Sequence, residues 1–358
     1  MIPGVAIRYR LPLLAVSFIA LLFGVLAGLA RMDWQTSVLN PNLPSIHGPL
    51  MIAGFLGTLI SLERAVAMDR PWAYSAPGIT ALGIIFLLTG ISYAGGSLLF
   101  IAGSLGLVLI LGIFFYRQPA VYSATLVLGA LSLFIGNFFF YYSYFIYTFV
   151  FWWIAFLIFT IAGERLELSR MVKISRIAHI AFIIALLIFI AGLFSTARLI
   201  GIAMVAISLW LIQYDVASRT LRHTGLPRFI AVCLVSGYIW LSIGGILFFL
   251  YGNAGAGPYY DASLHSILLG FVFAMIFGHA PIIFPAVMGV PVPFHRRFYI
   301  HLILLQLSLL LRLIGDFSGV VSAVQWGGLL NAITLLIFFG NTASAVISVK
   351  VKEIKRGS

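Results

Sequence analysis

The residues of this sequence that could do chemistry inside its apolar stretches are histidines. His47 and His265 each precede a long apolar run, in SIHGPLMIAGFLGTLI and LHSILLGFVFAMIFGHAP. The second run also contains His279, and His301 lies at the start of the next one. Burying an imidazole costs free energy unless its nitrogens are bound, so these four histidines are the candidate binding residues. Cys233 is the single cysteine, which excludes a cysteine metal cluster and leaves His, Met, Tyr or carboxylate as metal ligands.

The elements that must position these histidines are membrane helices. The chain of 358 residues is 62% hydrophobic and 8% charged, with a mean hydropathy of +1.14, whereas soluble domains are about 45–50% apolar and about 25% charged. A membrane span needs about 20 apolar residues. We count twelve such runs, at 11–30, 46–66, 73–94, 97–116, 119–141, 144–163, 175–195, 197–214, 227–251, 262–284, 298–316 and 325–348. The sequence therefore predicts an all-α, polytopic membrane helix bundle that forms a single transmembrane domain over residues 1–358. The first run reads as a retained helix and not as a removable signal.

The distribution of basic residues predicts the orientation of the bundle. The net charge is +12, and with a cytoplasmic N-terminus all but three of the 21 Lys and Arg residues fall in inner segments, the exceptions being Arg31, Arg198 and Arg312. Such a bias is typical of cytoplasmic loops. We therefore expect a multi-pass protein of the cell (inner) membrane with both termini in the cytoplasm. The expected partners of its basic loops are anionic lipid headgroups of the bilayer, and no nucleic-acid partner is expected.

The predicted orientation gives each candidate histidine a depth. His47 and His265 lie at the outer ends of their helices, and His301 lies near the cytoplasmic level. At about 100° and about 1.5 Å per residue, His279 is on the same helix face as His265 and about 21 Å deeper. Two histidines at one depth on different helices are what axial ligation of haem requires. The sequence thus predicts a haem of the b type at His47 and His265, and a second haem or a copper ion at His279 and His301.

Simpler interpretations of these histidines stay open. A histidine in the first turn of a membrane helix can simply contact interfacial water, which applies to His47 and His265. His279 precedes Pro281, and a proline leaves a backbone carbonyl free to accept a hydrogen bond. Met51 and Met275 lie four residues from His47 and His279, and for them we favour apolar packing over soft metal ligation.

Charged residues near the helix ends suggest structural roles first. Arg312 and Asp316 are four residues apart, which favours an i,i+4 ion pair, and Arg312 is also a candidate partner for a haem propionate. The segments SLERAVA and AGERLELS place Glu63–Arg64 and Glu164–Arg165 at the cytoplasmic exits of the second and sixth predicted helices. Because the tenth helix matches the second in its outer histidine, we expect a pseudo-threefold arrangement of four-helix units.

The quoted segments resemble known families. Twelve spans with histidines on helices 2 and 10 look like subunit I of the haem-copper oxidases, and SIHGPLMIAGFLGTLI and LHSILLGFVFAMIFGHAP resemble more closely the NnrS family of haem- and copper-containing membrane proteins. By that resemblance, His47 matches the helix 2 ligand, and His265 or His279 the helix 10 ligand. The sequence departs from the oxidases because it has no His-His pair on helix 7, no helix 6 histidine near a tyrosine and no His-x-His on helix 10. The resemblance implies haem, with copper as a second metal, and a role in nitric oxide metabolism or resistance or in membrane electron transfer.

The competing interpretation is a secondary transporter without haem. Twelve helices with both termini inside are also a transporter layout, and Pro281 and Pro285 could break a helix. Coupled transport usually places ionisable groups near the bilayer midplane, whereas Glu63, Glu164 and Asp316 lie toward helix ends. The sequence does not identify a substrate or a redox partner, and it leaves open whether the protein is an enzyme.

Overall fold

Helices are the only regular secondary structure in the described part of the chain. The computed structural model describes residues 7–34, 42–143, 145–171, 174–252 and 254–357. The predicted all-α class is confirmed. The helices form two compact units, Met1–Glu164 and Arg165–Ser358.

The first unit contains six of the predicted spans. Helix α1 (Ile7–Ala30) is followed by a composite span, Leu43–Met68. Within that span, a short α2 (His47–Pro49) leads into a π-helical segment and then α3 (Gly57–Met68). The remaining helices are α4 (Ser75–Thr89), α5 (Tyr93–Arg117), α6 (Val121–Tyr142) and α7 (Val150–Leu168), the last of which continues into the second unit.

The second unit contains the other six. The helices after α7 are α8 (Arg176–Leu193), α9 (Ala197–Tyr214), the short α10 (Val216–Thr220) and α11 (Gly225–Tyr251). A second composite span, Pro258–Met288, consists of α12 (Pro258–His265), a π-helical segment and α13 (Ala274–Met288). The chain ends with α14 (Phe298–Ser318) and α15 (Val321–Gly357), which pack against each other as an antiparallel pair.

Local sequence signals set many of the helix ends. Ser92 and Ser175 cap α5 and α8 by accepting hydrogen bonds from the backbone N–H groups of Gly95 and Ala178, which satisfies donors that the first turn leaves unpaired. At the other end of a helix, Gly319 has φ +71° after α14, a left-handed conformation that glycine adopts without steric cost. These signals produce short connections, so consecutive helices run antiparallel.

Eleven helices of the described chain are long and apolar enough to cross a membrane. The twelfth predicted span, 144–163, corresponds to α7, whose last turns carry Glu164, Arg165 and Glu167. The prediction of a polytopic helical bundle of about twelve helices is therefore confirmed, and the protein is a multi-pass membrane protein that contacts lipid. The single domain over 1–358 and the pseudo-threefold arrangement stay predictions.

Candidate functional site

His47 is held by the neighbouring helix of the first unit. Its Nδ1 lies 2.7 Å from the backbone oxygen of Gly24 in α1. Because a carbonyl oxygen can only accept, Nδ1 must carry the proton, and in the neutral ring the lone pair is on Nε2. The imidazole rests on Gly28, where an added Cβ would lie 2.9 Å from its Cε1 atom. The absence of a side chain at Gly28 thus makes room for this ring.

Both His47 and His265 are followed by π-helix. The segment Leu50–Leu56 begins three residues after His47, and Ser266–Phe273 begins directly after His265. π-Helix is rare, occurs mostly as single turns, and is frequent at functional sites. Two segments of seven and eight residues, each next to a candidate ligand, are therefore a distinctive feature of these two spans.

His265 belongs to a charged cluster in the second unit. Its Nδ1 lies 2.9 Å from the backbone oxygen of Asp261 and 3.2 Å from Oδ1 of the same residue. Arg312 of α14 holds that carboxylate with two hydrogen bonds, Nε to Oδ2 at 2.7 Å and Nη2 to Oδ1 at 2.9 Å. Both of these donors of Arg312 thus point to Asp261, and not to Asp316 as the i,i+4 spacing favoured. A histidine whose second nitrogen is held by a carboxylate is the usual arrangement around metal ligands.

His279 is half-buried in α13, and its Nδ1 lies 2.7 Å from the backbone oxygen of Met275. The methyl group of Met275 packs against Gly237 of α11, so this methionine has the packing role that we favoured. The π-helical segment lies between His265 and His279. The rotation of about 100° per residue, on which the same-face prediction depends, therefore does not run unbroken from one histidine to the other, because π-helix has wider turns.

His301 lies at the start of α14 in an aromatic environment. It is 1% exposed, and the rings of Phe277 and Phe338 stand edge-on to it with centroids at 4.8 and 5.3 Å. Its Nδ1 is 3.2 Å from the amide nitrogen of Asn341. If that amide donates, the ring proton is on Nε2, the nitrogen that the other three histidines leave unprotonated. His279 follows Phe277 by two residues, about 200° around the α-helix, and so leaves α13 on a different face from the one that meets His301.

The predicted ligand pairs are placed as follows. His47 belongs to the first unit and His265 to the second, so their sharing of one haem stays a prediction. The common site of His279 and His301 also stays a prediction. Within the described ranges, no group of three or more His, Cys, Asp or Glu residues is arranged to hold a metal ion, so ligation by these histidines would need haem or a site of fewer protein ligands.

A buried ion pair in the second unit was not predicted from the sequence. Arg165 holds Asp215 with two hydrogen bonds of 2.6 Å, and the Tyr238 hydroxyl donates to the same carboxylate at 2.5 Å. Asp215 also accepts from the backbone N–H of Ala217 and so caps α10. The repeated Glu-Arg motif identified Arg165 as a charged residue at a helix end. Its partner Asp215 could not be found in the same way, because it is 50 residues away in sequence. In the first unit the neighbouring Glu164 pairs with Arg64 of α3.

The interior face of α14 is unusually polar for a membrane helix. Ser308 is fully buried and donates to the Asn331 side-chain oxygen of α15 at 2.6 Å. Arg312 and Asp316 follow at intervals of four residues on the same face and are also buried. The Asn331 amide nitrogen has no hydrogen-bond partner among the described residues. Buried polar groups are expensive inside a membrane and usually mark function.

The fold and these residues define a class: a multi-pass helical membrane protein with imidazoles and charged clusters near the ends of its described helices. Residues 10–347 match the family described as Domain of unknown function (DUF8744), and the chain belongs to that family. A search of curated proteins found no match.

Proposed function

We propose that this protein binds a haem through His47 and His265, and a second haem or a copper ion through His279 and His301. The observation that carries the proposal is the position of His47. A neighbouring helix fixes the Nδ1 proton on the Gly24 carbonyl and offers the ring a glycine surface at Gly28, which leaves the Nε2 lone pair of the neutral ring as the basic atom. Haem would supply a redox-active iron that can pass an electron or bind a small gas such as nitric oxide.

The environment of His265 supports the same proposal. The Asp261 carboxylate, itself fixed by Arg312, accepts from Nδ1, and such a partner orients a ligating imidazole and raises its basicity. Because Arg312 binds Asp261 with two donors, we assign it to this support and not to a haem propionate. The resemblance to NnrS-like proteins points the same way. His301 belongs to the proposed inner site, where it and His279 would bind the second haem or a copper ion.

An optical spectrum of the purified protein tests the proposal. In detergent, the reduced wild-type protein should show sharp α and β bands, with iron found by metal analysis, if a haem has two imidazole ligands. His47→Ala and His265→Ala should each remove most of this signal. The matched control is His179→Ala, since His179 makes a similar Nδ1 contact with the Ser175 carbonyl at the start of α8; it should leave the bands unchanged. A protein that inserts and purifies without haem would contradict the proposal.

Nitric oxide tests the inner site. Added anaerobically to the reduced protein, it should shift the spectrum, because an iron with a vacant position can bind it. The shift should survive His47→Ala and disappear in His279→Ala and His301→Ala. If haem is present and the spectrum of neither the wild-type protein nor any variant shifts with nitric oxide, the proposal of gas binding is wrong. Electron transfer is then the remaining proposed role.

A second candidate function is secondary transport. The observation that favours it is the hydrogen bond between Asn331 of α15 and Ser308, which lies halfway along α14, where coupled transporters place polar groups. A metal-free protein whose reconstituted vesicles accumulate a solute, with accumulation lost in Asn331→Leu, would support transport over haem binding.

A further inference from the structure

Two arginines precede α14 at the end of the second unit that is predicted to face the cytoplasm. Arg296 is exposed, and Arg297 is half-buried and forms the N-cap of the helix. The Arg297 Nη2 atom donates a hydrogen bond to the Ser344 hydroxyl of α15 at 2.6 Å. Its Nε atom is buried and has no hydrogen-bond partner among the described residues. Because a guanidinium Nε always carries a hydrogen, this atom is a donor that still needs an acceptor.

The positive charge of these two arginines is not balanced by a nearby acid. From Ala262 to Ser348 the sequence contains one acidic residue, Asp316, which lies about 30 Å from Arg296 along α14. The salt bridges between described residues include neither Arg296 nor Arg297, whereas the buried helix-end arginines described above each bind a carboxylate. An anion from outside the protein would therefore meet uncompensated charge here.

A third arginine lies at the same end of the unit. The Phe229 ring at the start of α11 stands edge-on to Tyr299, with centroids 5.3 Å apart, and its centroid lies 5.8 Å from that of Phe294. Arg228 directly precedes Phe229 and is exposed. The packed starts of α11 and α14 thus present three arginines together.

An apolar surface lies beside the arginines on the side of the membrane interior. Ile300 and Ile303 follow Arg296 by four and seven residues on one face of α14, and both are more than half exposed. On α15, Gly340 lies one turn from Ser344 on the same face, and a Cβ added to it would meet no atom within 4 Å. An open space therefore lies about one helical turn deeper than the hydrogen bond to Ser344.

We propose that this end of the second unit binds an anionic phospholipid, with its phosphate on Arg296 and Arg297 and an acyl chain along Ile300, Ile303 and Gly340. A phosphate accepts two hydrogen bonds from one guanidinium, so it supplies the acceptor that the Arg297 Nε atom lacks. The proposal does not depend on haem.

The surroundings of the arginines favour this class of ligand over two others. Free phosphate has no apolar part that would cover Ile300 and Ile303, whereas a lipid covers them with its acyl chain. A zwitterionic headgroup carries a choline or an amine, and the sequence from Ala262 to Ser348 has no carboxylate near this end to hold that cation. A headgroup with a net negative charge fits the three arginines better than either.

Native mass spectrometry tests this lipid site. The delipidated protein is given equal amounts of phosphatidylglycerol and phosphatidylcholine with the same acyl chains. The wild-type protein should retain several times more phosphatidylglycerol, and Arg296→Gln combined with Arg297→Gln should remove that preference. The matched control is Arg117→Gln, at an exposed arginine that ends α5, which should keep it. Equal retention of the two lipids by the wild-type protein, or an unchanged preference in the double variant, would overturn the proposal.

A second variant distinguishes a lipid site from a simple anion site. Gly340→Leu keeps all three arginines and fills the open space on α15, and leucine is favourable in a helix. It should lower the retained phosphatidylglycerol several-fold, and a large excess of inorganic phosphate should not displace the lipid from the wild-type protein. Undiminished retention in Gly340→Leu, or displacement of the lipid by phosphate, would refute the acyl-chain surface and with it the proposal. If the double arginine variant cannot be purified, these two measurements decide.

Discussion

At the residue scale, Arg165, Asp215 and Tyr238 of the second unit form a buried polar cluster. Sequence reasoning marked Arg165 as a charged residue at a helix exit, but it could not find Asp215. Periodicity relates residues within one helix, whereas Arg165 and Asp215 are 50 residues apart in sequence. The same limit explains Arg312: the local spacing favoured Asp316, and the packing of α12 against α14 supplied Asp261 instead.

Removing the arginine should strongly destabilise the protein. Arg165→Met leaves Asp215 buried without its cation, and breaking one side of a buried pair typically costs about 3–5 kcal/mol. The free energy of unfolding in detergent measures this. Asp215→Asn added to Arg165→Met should restore part of the loss, since it removes the unpaired charge and keeps an oxygen to cap α10. A change of less than about 1 kcal/mol, typical of exposed ion pairs, would contradict the buried geometry.

At the element scale, the sequence predicted the helices far better than their internal form. Hydropathy located the spans because each must present about 20 apolar residues to the bilayer, and eleven appear as membrane-length helices. The π-helical turns after His47 and His265 could not be predicted, because the choice between i→i+4 and i→i+5 hydrogen bonds depends on packing with other helices and not on apolar period. The prediction that His265 and His279 share one helix face assumed an unbroken α-helix, and it did not include the π-helical segment between them.

The contact between α1 and α2 gives a prediction at the same scale. Gly28→Ala would place a methyl group against the His47 ring, which the Gly24 carbonyl holds in position. Such overpacking costs about 1–3 kcal/mol, and the displaced imidazole should also weaken any haem signal. The matched control is Gly78→Ala in α4, where an added Cβ meets no atom within 4 Å; that change should be neutral or stabilise by about 0.5–1 kcal/mol. Thermal unfolding of both variants distinguishes them, and equal effects would argue against the close approach of α1 to His47.

At the scale of the whole molecule, the orientation of the helices in the membrane determines which membrane face each candidate site lies near. The ends of α12 and α14 that carry Asp261 and Asp316 should face the outer side, because the inner segments hold nearly all the basic residues and such loops stay in the cytoplasm. Reporter fusions after Trp34, which follows α1, should therefore report the outer side. Fusions after Asp69, which ends α3, should report the cytoplasm. The reverse pattern at both positions would contradict this orientation and place His47 near the cytoplasmic face.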